Sequence, residues 1–397
     1  MEQLIDYYRN VLLKKEKIYD RYLEKEINWD NRLIAIRGAR GAGKTSLLLK
    51  RIRENYLHDE SCMYASLDHP YFAENKLFET AGTFFRKGGK ILFLDEVHKY
   101  PQWSTELKNI YDAYSELKVV FTSSSVLDLM KGNADLSRRM VIYDLFGLSF
   151  REFLMFEGSE IFESQTVSDL INHHKEIAFE ISGKIKPLAY FDKYLTYGYY
   201  PFYKDGINEY PQKLINVINQ TVESDIPSAK NVEHAYIIKL KKLLYAIAVS
   251  SPVQPNINKL SQRMEVSRNT ISLYLSYLHE SRLINMLHHD KEGFSTLAKP
   301  EKVYLNNTNL SIALAKENSE RGNLRETFFY SQLAAKNDLT SSKSGDFMVN
   351  NRYTFEIGGK NKSRKQIVNT PESFIVSDDI EFGYENRIPL WLFGFVY

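Results

Sequence analysis

Between Leu33 and Tyr143 the apolar positions gather into five short runs: Leu33-Ile34-Ala35-Ile36, Met63-Tyr64-Ala65-Ser66-Leu67, Ile91-Leu92-Phe93-Leu94, Lys118-Val119-Val120-Phe121 and Met140-Val141-Ile142-Tyr143. Each has the length of a strand buried on both faces, and the intervening stretches are long enough for crossover helices. The alternation predicts an α/β domain over residues 1–148, a parallel sheet with helices on both faces. Ahead of it, Leu12, Leu13, Ile18, Tyr19 and Tyr22 recur at helical spacing until Asn28-Trp29-Asp30-Asn31 breaks the pattern, so a leading helix is expected.

Beyond Leu148 the periodicity changes. Residues 149–205 are helical and aromatic-rich and close at Tyr197-Gly198-Tyr199-Tyr200-Pro201, which predicts a small helical lid. Residues 206–305 read as a helical linker followed by a helix-turn-helix, with Ser251-Pro252-Val253-Gln254-Pro255-Asn256 separating two helical segments between Lys239 and Arg282. Residues 306–397 read as a further domain of mixed strands and helices.

Composition narrows the class. A chain of 397 residues exceeds what a single core normally supports, and 43% hydrophobic with 26% charged residues is ordinary globular usage. With 52 Lys+Arg against 50 Asp+Glu, any affinity for nucleic acid must come from a local patch. The single cysteine, Cys62, excludes an internal disulfide framework and a Cys-rich zinc site and reads as core filler in a reducing compartment. Met1-Glu2-Gln3-Leu4-Ile5-Asp6 does not open a signal peptide, and no apolar stretch reaches membrane-spanning length, so a cytoplasmic location without membrane partners is expected.

The chemistry starts at Gly38-Ala39-Arg40-Gly41-Ala42-Gly43-Lys44-Thr45-Ser46, which lies between the first apolar run and the helix former Leu47-Leu48-Leu49. Glycines let successive backbone N–H groups face the phosphates of a nucleotide, Lys44 supplies a mobile cation and Thr45 a hydroxyl ligand for magnesium. ATP and Mg are therefore the expected cofactors. Leu92-Phe93-Leu94-Asp95-Glu96 ends a strand in two carboxylates, where Asp95 would hold hydrated magnesium and Glu96 would polarise the attacking water.

From Asp95 through Val97-His98-Lys99-Tyr100-Pro101-Gln102-Trp103 the sequence resembles the second nucleotide motif of a large prokaryotic AAA-type (P-loop) ATPase family. The resemblance continues through Phe121-Thr122-Ser123-Ser124-Ser125, Leu136-Ser137-Arg138-Arg139 and Leu148-Ser149-Phe150-Arg151-Glu152-Phe153-Leu154, covering nearly the whole chain. It implies a sheet in which the strand ending at Thr122 separates the Asp95 strand from the loop strand. It also implies that Thr122 or Ser123 senses the γ-phosphate. Arg138 or Arg139 would enter the active site of a neighbouring subunit, hence a homo-oligomer. His98 either orients Glu96 or packs beside it.

Two further segments carry candidate sites. Leu260, Met264 and Val266 form one inner face and Ile271, Leu275 and Leu278 another, with Ser267 as N-cap between them. Arg268, Asn269, Thr270 and Ser272 are left at the start of the second helix, the end that reads base edges in helix-turn-helix proteins. The segment resembles a winged-helix module with Lys299-Pro300-Glu301-Lys302-Val303-Tyr304-Leu305 as its final strand; such modules bind DNA or other proteins. Glu326, Asp346 and Glu356 are spaced like the carboxylates of a restriction-endonuclease-like core, with Gly358 where that superfamily places lysine and Lys360 and Lys362 following. Lys360, Lys362, Arg364 and Lys365 form a basic segment suited to phosphates. The functional expectation is ATP hydrolysis driving a conformational change on DNA. The alternatives are a nucleotide-gated switch for protein partners and a Mg-dependent nuclease.

Overall fold

The computed structural model describes residues 2–13, 19–123, 134–230, 234–289, 299–315 and 320–397. The chain divides into two compact units, Met1–Phe146 and Gly147–Tyr397. In the first, strands β1 (Leu33–Gly38), β2 (Cys62–Ser66), β3 (Ile91–Asp95), β4 (Lys118–Ser123) and β5 (Val141–Leu145) form one sheet in the order β2-β3-β4-β1-β5. Every pairing is parallel. The strand ending at Thr122 thus lies between the loop strand and the Asp95 strand, the order the resemblance implies. β2 and β3 are buried along their whole length, and so are five of the six residues of each of β1 and β4, which is why they read as continuous apolar runs.

Register decides what meets at the sheet edge. Ile36 pairs with Thr122 and Arg37 with Ser123, while Ser66 pairs with Asp95, so the loop, Thr122 and Asp95 all leave at the carboxyl ends of their strands.

The leading segment departs from expectation. Its helix covers Glu2–Leu13, and Tyr22–Lys25 forms a separate 3-10 turn, while Ile18 lies outside the described residues. The physical reason is that Arg21 and Tyr22 are committed elsewhere. Arg21 donates to the carbonyls of Ala42 (2.6 Å) and Phe146 (2.8 Å), and the Tyr22 hydroxyl donates to Asp144 O at 2.6 Å.

The second unit begins with helix Phe150–Phe156, whose Ser149–Glu152 capping box satisfies its first amides. Helices Val167–Ser182 and Pro187–Tyr197 follow, the latter opened by proline and ended at Gly198. Phe150 and Tyr194 pack edge to face with each other at 5.6 Å, and Tyr194 does so with Phe328 at 5.8 Å, so the segment expected as a lid buries its aromatics against the C-terminal half of the same unit. Asn309, 1% exposed, fixes this packing: it accepts from the Tyr199 amide (2.9 Å) and the Tyr210 hydroxyl, and donates to the carbonyls of Tyr194 (3.1 Å) and Leu195 (2.9 Å).

Helices Ile257–Met264 and Arg268–Glu280 precede an antiparallel pair, β6 (Ile284–Leu287) with β7 (Lys302–Leu305). A second sheet contains β8 (Leu339–Ser341), β9 (Phe347–Val349), β10 (Tyr353–Gly358), β11 (Ser373–Ser377) and β12 (Arg387–Pro389), ordered β12-β11-β10-β9-β8 and flanked by helix Arg321–Leu333. Its β10-β11-β12 half is parallel and its β8-β9-β10 half antiparallel. Among the described residues no helix is long and apolar enough to cross a membrane.

Burial makes this unit sensitive to acid. His174 is 4% exposed, and burial holds its pKa below the usual 6.5. Its neutral form is therefore favoured in the fold, and the stability it contributes is complete above pH 6.5 and is lost as pH falls below that value. A His174→Leu protein should gain thermal stability relative to the unaltered chain on going from pH 7.5 to pH 5.5. Melting curves at the two pH values check this, and an unchanged difference between the proteins would remove His174 as the cause.

Candidate active site

Gly38 closes β1, and a side chain on it would collide with the Leu145 carbonyl, so the loop can turn there only with glycine. Gly41 (φ 82°) and Gly43 (φ 97°) adopt left-handed backbone, and Gly43 caps helix Lys44–Asn55. These three positions shape the loop so that its amides precede a helix N-terminus, the arrangement that binds anions. Ala39 and Ala42 are buried, Arg40 is partly exposed and Ser46 is exposed. Lys44, 5% exposed, folds across the loop and donates to the carbonyls of Gly38 and Ala39, each at 3.0 Å. The loop itself is anchored from outside the motif by Arg21 on Ala42.

Four donors converge on Asp95, which is 2% exposed. Thr45 Oγ1 donates to Oδ2 at 2.7 Å and the Tyr64 hydroxyl to the same oxygen at 3.0 Å. Thr122 Oγ1 donates to Oδ1, and the Glu96 amide lies 3.2 Å from that oxygen and 3.1 Å from Thr122 Oγ1. A threonine hydroxyl beside a buried carboxylate is a hard oxygen donor set that fits magnesium carried in with phosphates. Among the described residues no group of three or more His, Cys, Asp and Glu side chains could hold a metal without such help.

Glu96 sits at φ 52°, ψ 42°, a left-handed conformation that costs a non-glycine residue about 1–3 kcal/mol. There its carboxylate lies 3.4 Å from His98 Nε2, so His98 is placed beside the expected water-polarising group. Thr122 is the residue that reaches Asp95, while Ser123, fully buried in β4, follows it in the strand and so points to the opposite face. Arg139 forms a two-pronged pair with Asp112 (3.0 and 3.3 Å), and Arg138 is exposed beside it. Ser124 and Ser125 lie outside the described residues.

Tyr64, Thr122 in its contact with Asp95, and Arg21 were not distinguishable by motif. A tyrosine inside an apolar strand and an arginine in a connecting segment carry no signal until strand register is known.

In the second unit Ser267 caps helix Arg268–Glu280 by accepting from the Thr270 amide at 3.1 Å. Ile271, Leu275 and Leu278 are buried, Arg268 and Asn269 are exposed, and Thr270 and Ser272 are partly exposed.

Glu326, Asp346 and Glu356 are also brought together, but with cations among them. Lys302, from β7, lies 3.1 Å from Glu326 and 3.2 Å from Asp346. Lys362 lies 2.5 Å from Glu356. Of the two lysines that follow Gly358, Lys360 has an exposed side chain, whereas Lys362 folds back over Gly358, where a Cβ would sit 2.6 Å from it, as the chain turns after β10. Arg387 holds that turn through the carbonyls of Lys360 (3.2 Å) and Lys362 (2.6 Å). Burial, reinforced by Asp346, raises the Glu326 pKa against the pull of Lys302, and burial likewise raises that of Glu356.

No curated protein matches the chain. Among solved structures, AMPPCP-bound DnaA from Aquifex aeolicus is 17% identical, with 70% of this chain and 88% of that one covered and a TM-score of 0.25. Trip13 of Rhizobiales is 19% identical (35% and 55% covered, TM-score 0.22), and PCH-2 of C. elegans is 18% identical (46% and 56% covered, TM-score 0.22). Residues 188–321 match a family described as a domain of unknown function, DUF8612. Residues 30–154, which contain all five strands, the loop and the Asp95 cluster, match the AAA domain family, so the first unit carries an AAA-type P-loop ATPase domain.

Proposed function

We propose that the chain binds ATP with magnesium and hydrolyses it, and that turnover drives a conformational change in a region acting on DNA. The carrying observation is the convergence of Lys44, Thr45, Asp95, Thr122 and Glu96 at one edge of the parallel sheet. In this reading Lys44 and the loop amides hold the phosphates, and Thr45 and Asp95 would hold magnesium. When bound, the cation supplies neutralising charge at the phosphate oxygens. Glu96 polarises the attacking water, Thr122 or Ser123 senses the γ-phosphate, and Arg138 or Arg139 serves a neighbouring copy in a homo-oligomer.

Residues 149–205 act as a helical lid, 206–305 as linker and winged helix and 306–397 as a nuclease-like platform. Arg268, Asn269, Thr270 and Ser272 make the DNA contact, aided by phosphate binding at Lys360, Arg364 and Lys365. The platform holds DNA without cutting it, because Lys302 and Lys362 already pair the three carboxylates that would have to take a metal. Removing a metal should therefore abolish turnover and leave DNA binding by this unit intact.

A second reading, a nucleotide-gated switch for a protein partner, is favoured by one observation. Ile238, Tyr245 and Val249 stand 62%, 44% and 55% exposed along one face of helix His234–Ser250. ATP turnover with and without duplex DNA, beside the mass in solution, decides between the two. Several-fold stimulation by DNA supports the first reading. Slow turnover indifferent to DNA supports the second, and absence of turnover with tight ATP binding removes the motor.

A further inference from the structure

Asp95 is buried too deeply for water to set the direction of its carboxylate, so its orientation depends on the groups that donate to it. β3 has β4 on one side and β2 on the other, and each neighbour contributes a hydroxyl: Thr122 to Oδ1 and Tyr64 to Oδ2 at 3.0 Å. The Tyr64 contact is made from a distance. Its register partner is Phe93, two residues before Asp95, and the residue level with Asp95 is Ser66, whose hydroxyl donates to Asp68 at 2.5 Å. Residues two apart on a strand share a face, and only a side chain as long as tyrosine reaches from the position of residue 64 to the end of β3. Tyr64 is 2% exposed, and its ring lies 6.2 Å from that of Tyr8, with the planes 26° apart, beneath helix Glu2–Leu13.

We infer that Tyr64 is a positioning residue for the magnesium site: with Thr122 it clamps the Asp95 carboxylate from both flanking strands and so fixes the direction of Oδ2, the oxygen that Tyr64 and Thr45 share, towards the cation. The inference rests on the Mg–ATP reading above. Groups that orient a metal-holding side chain commonly carry about 10-fold to 100-fold in metal affinity. A lost clamp should weaken the magnesium-dependent part of ATP binding and spare the part made by the loop amides and Lys44.

The test uses the full chain and measures ATP affinity by calorimetry, once with Mg²⁺ and once with EDTA in its place. For Tyr64→Phe the expected result is affinity in EDTA within about twofold of the unaltered chain and affinity with Mg²⁺ lower by about tenfold. Tyr8→Phe, whose hydroxyl faces Cys62 Sγ at 3.8 Å and not Asp95, should change neither value. If Tyr64→Phe leaves both affinities unchanged, lowers both together, or is matched by Tyr8→Phe, the positioning role is overturned. An unaltered chain that binds no ATP in either condition overturns the Mg–ATP reading as well, which separates the two failures.

Discussion

Glu96→Gln should lower ATP turnover by about 10²-fold or more while ATP binding persists, and Lys44→Ala should remove binding and turnover together. The two changes act on different parts of one site. Glu96 lies beyond the loop, at a left-handed position beside His98, where glutamine fits the same space but cannot draw a proton from water. Lys44 is buried against the loop carbonyls, and alanine takes away the cation that must meet the phosphates. Stopped-time ATPase assays beside equilibrium binding with a labelled nucleotide read both quantities. Turnover unaffected by Glu96→Gln would assign water activation to another residue.

The second large effect is expected on stability. Lys302→Ala leaves Glu326 and Asp346 facing each other with side chains only 19% and 17% exposed. Breaking a buried pair by removing one partner costs about 3–5 kcal/mol, and because Lys302 is itself one third exposed a loss of about 2–3 kcal/mol is the better expectation. Burial and the neighbouring Asp346 already raise the Glu326 pKa against the pull of Lys302, so without that cation Glu326 takes up a proton more readily in the fold than in the unfolded chain, and the loss should shrink as pH is lowered from 7 towards 5. Combining Lys302→Met with Glu326→Gln should restore part of the stability, because it removes two of the three charges and frees Asp346 from the like charge of Glu326. Chemical denaturation at the two pH values checks the sign, and a loss that stayed constant with pH would mean the lysine acts by packing alone.

These clusters show which parts of the fold were legible beforehand. Strands β1 and β3 each carry an unbroken apolar run, and a motif follows directly at the end of each, so Lys44, Thr45, Asp95 and Glu96 stood out at once. The place of β4 between β1 and β3 came from the resemblance, and the places of β2 and β5 were not legible, since no local pattern states which strands are neighbours. Contacts made across strands were hidden for the same reason: Tyr64 reaches Asp95 only because β2 pairs with β3 in one register. Lys362 and not Lys360 stands beside Glu356 because of how the chain turns after Gly358, a backbone event that spacing along a strand cannot represent. The leading helix was over-read because the spacing of Tyr19 and Tyr22 satisfied a helix while their neighbour Arg21 was bound to the loop.

The Arg21 anchor also says where this domain can be cut. The family match begins at residue 30, after Arg21 and Tyr22, yet those two side chains hold the Ala42 carbonyl of the loop and the Asp144 carbonyl of β5. A fragment trimmed to the matched boundary would keep every motif residue and lose the brace that fixes the loop to the edge strand β5. The evolutionary unit and the mechanical unit of this protein therefore have different first residues.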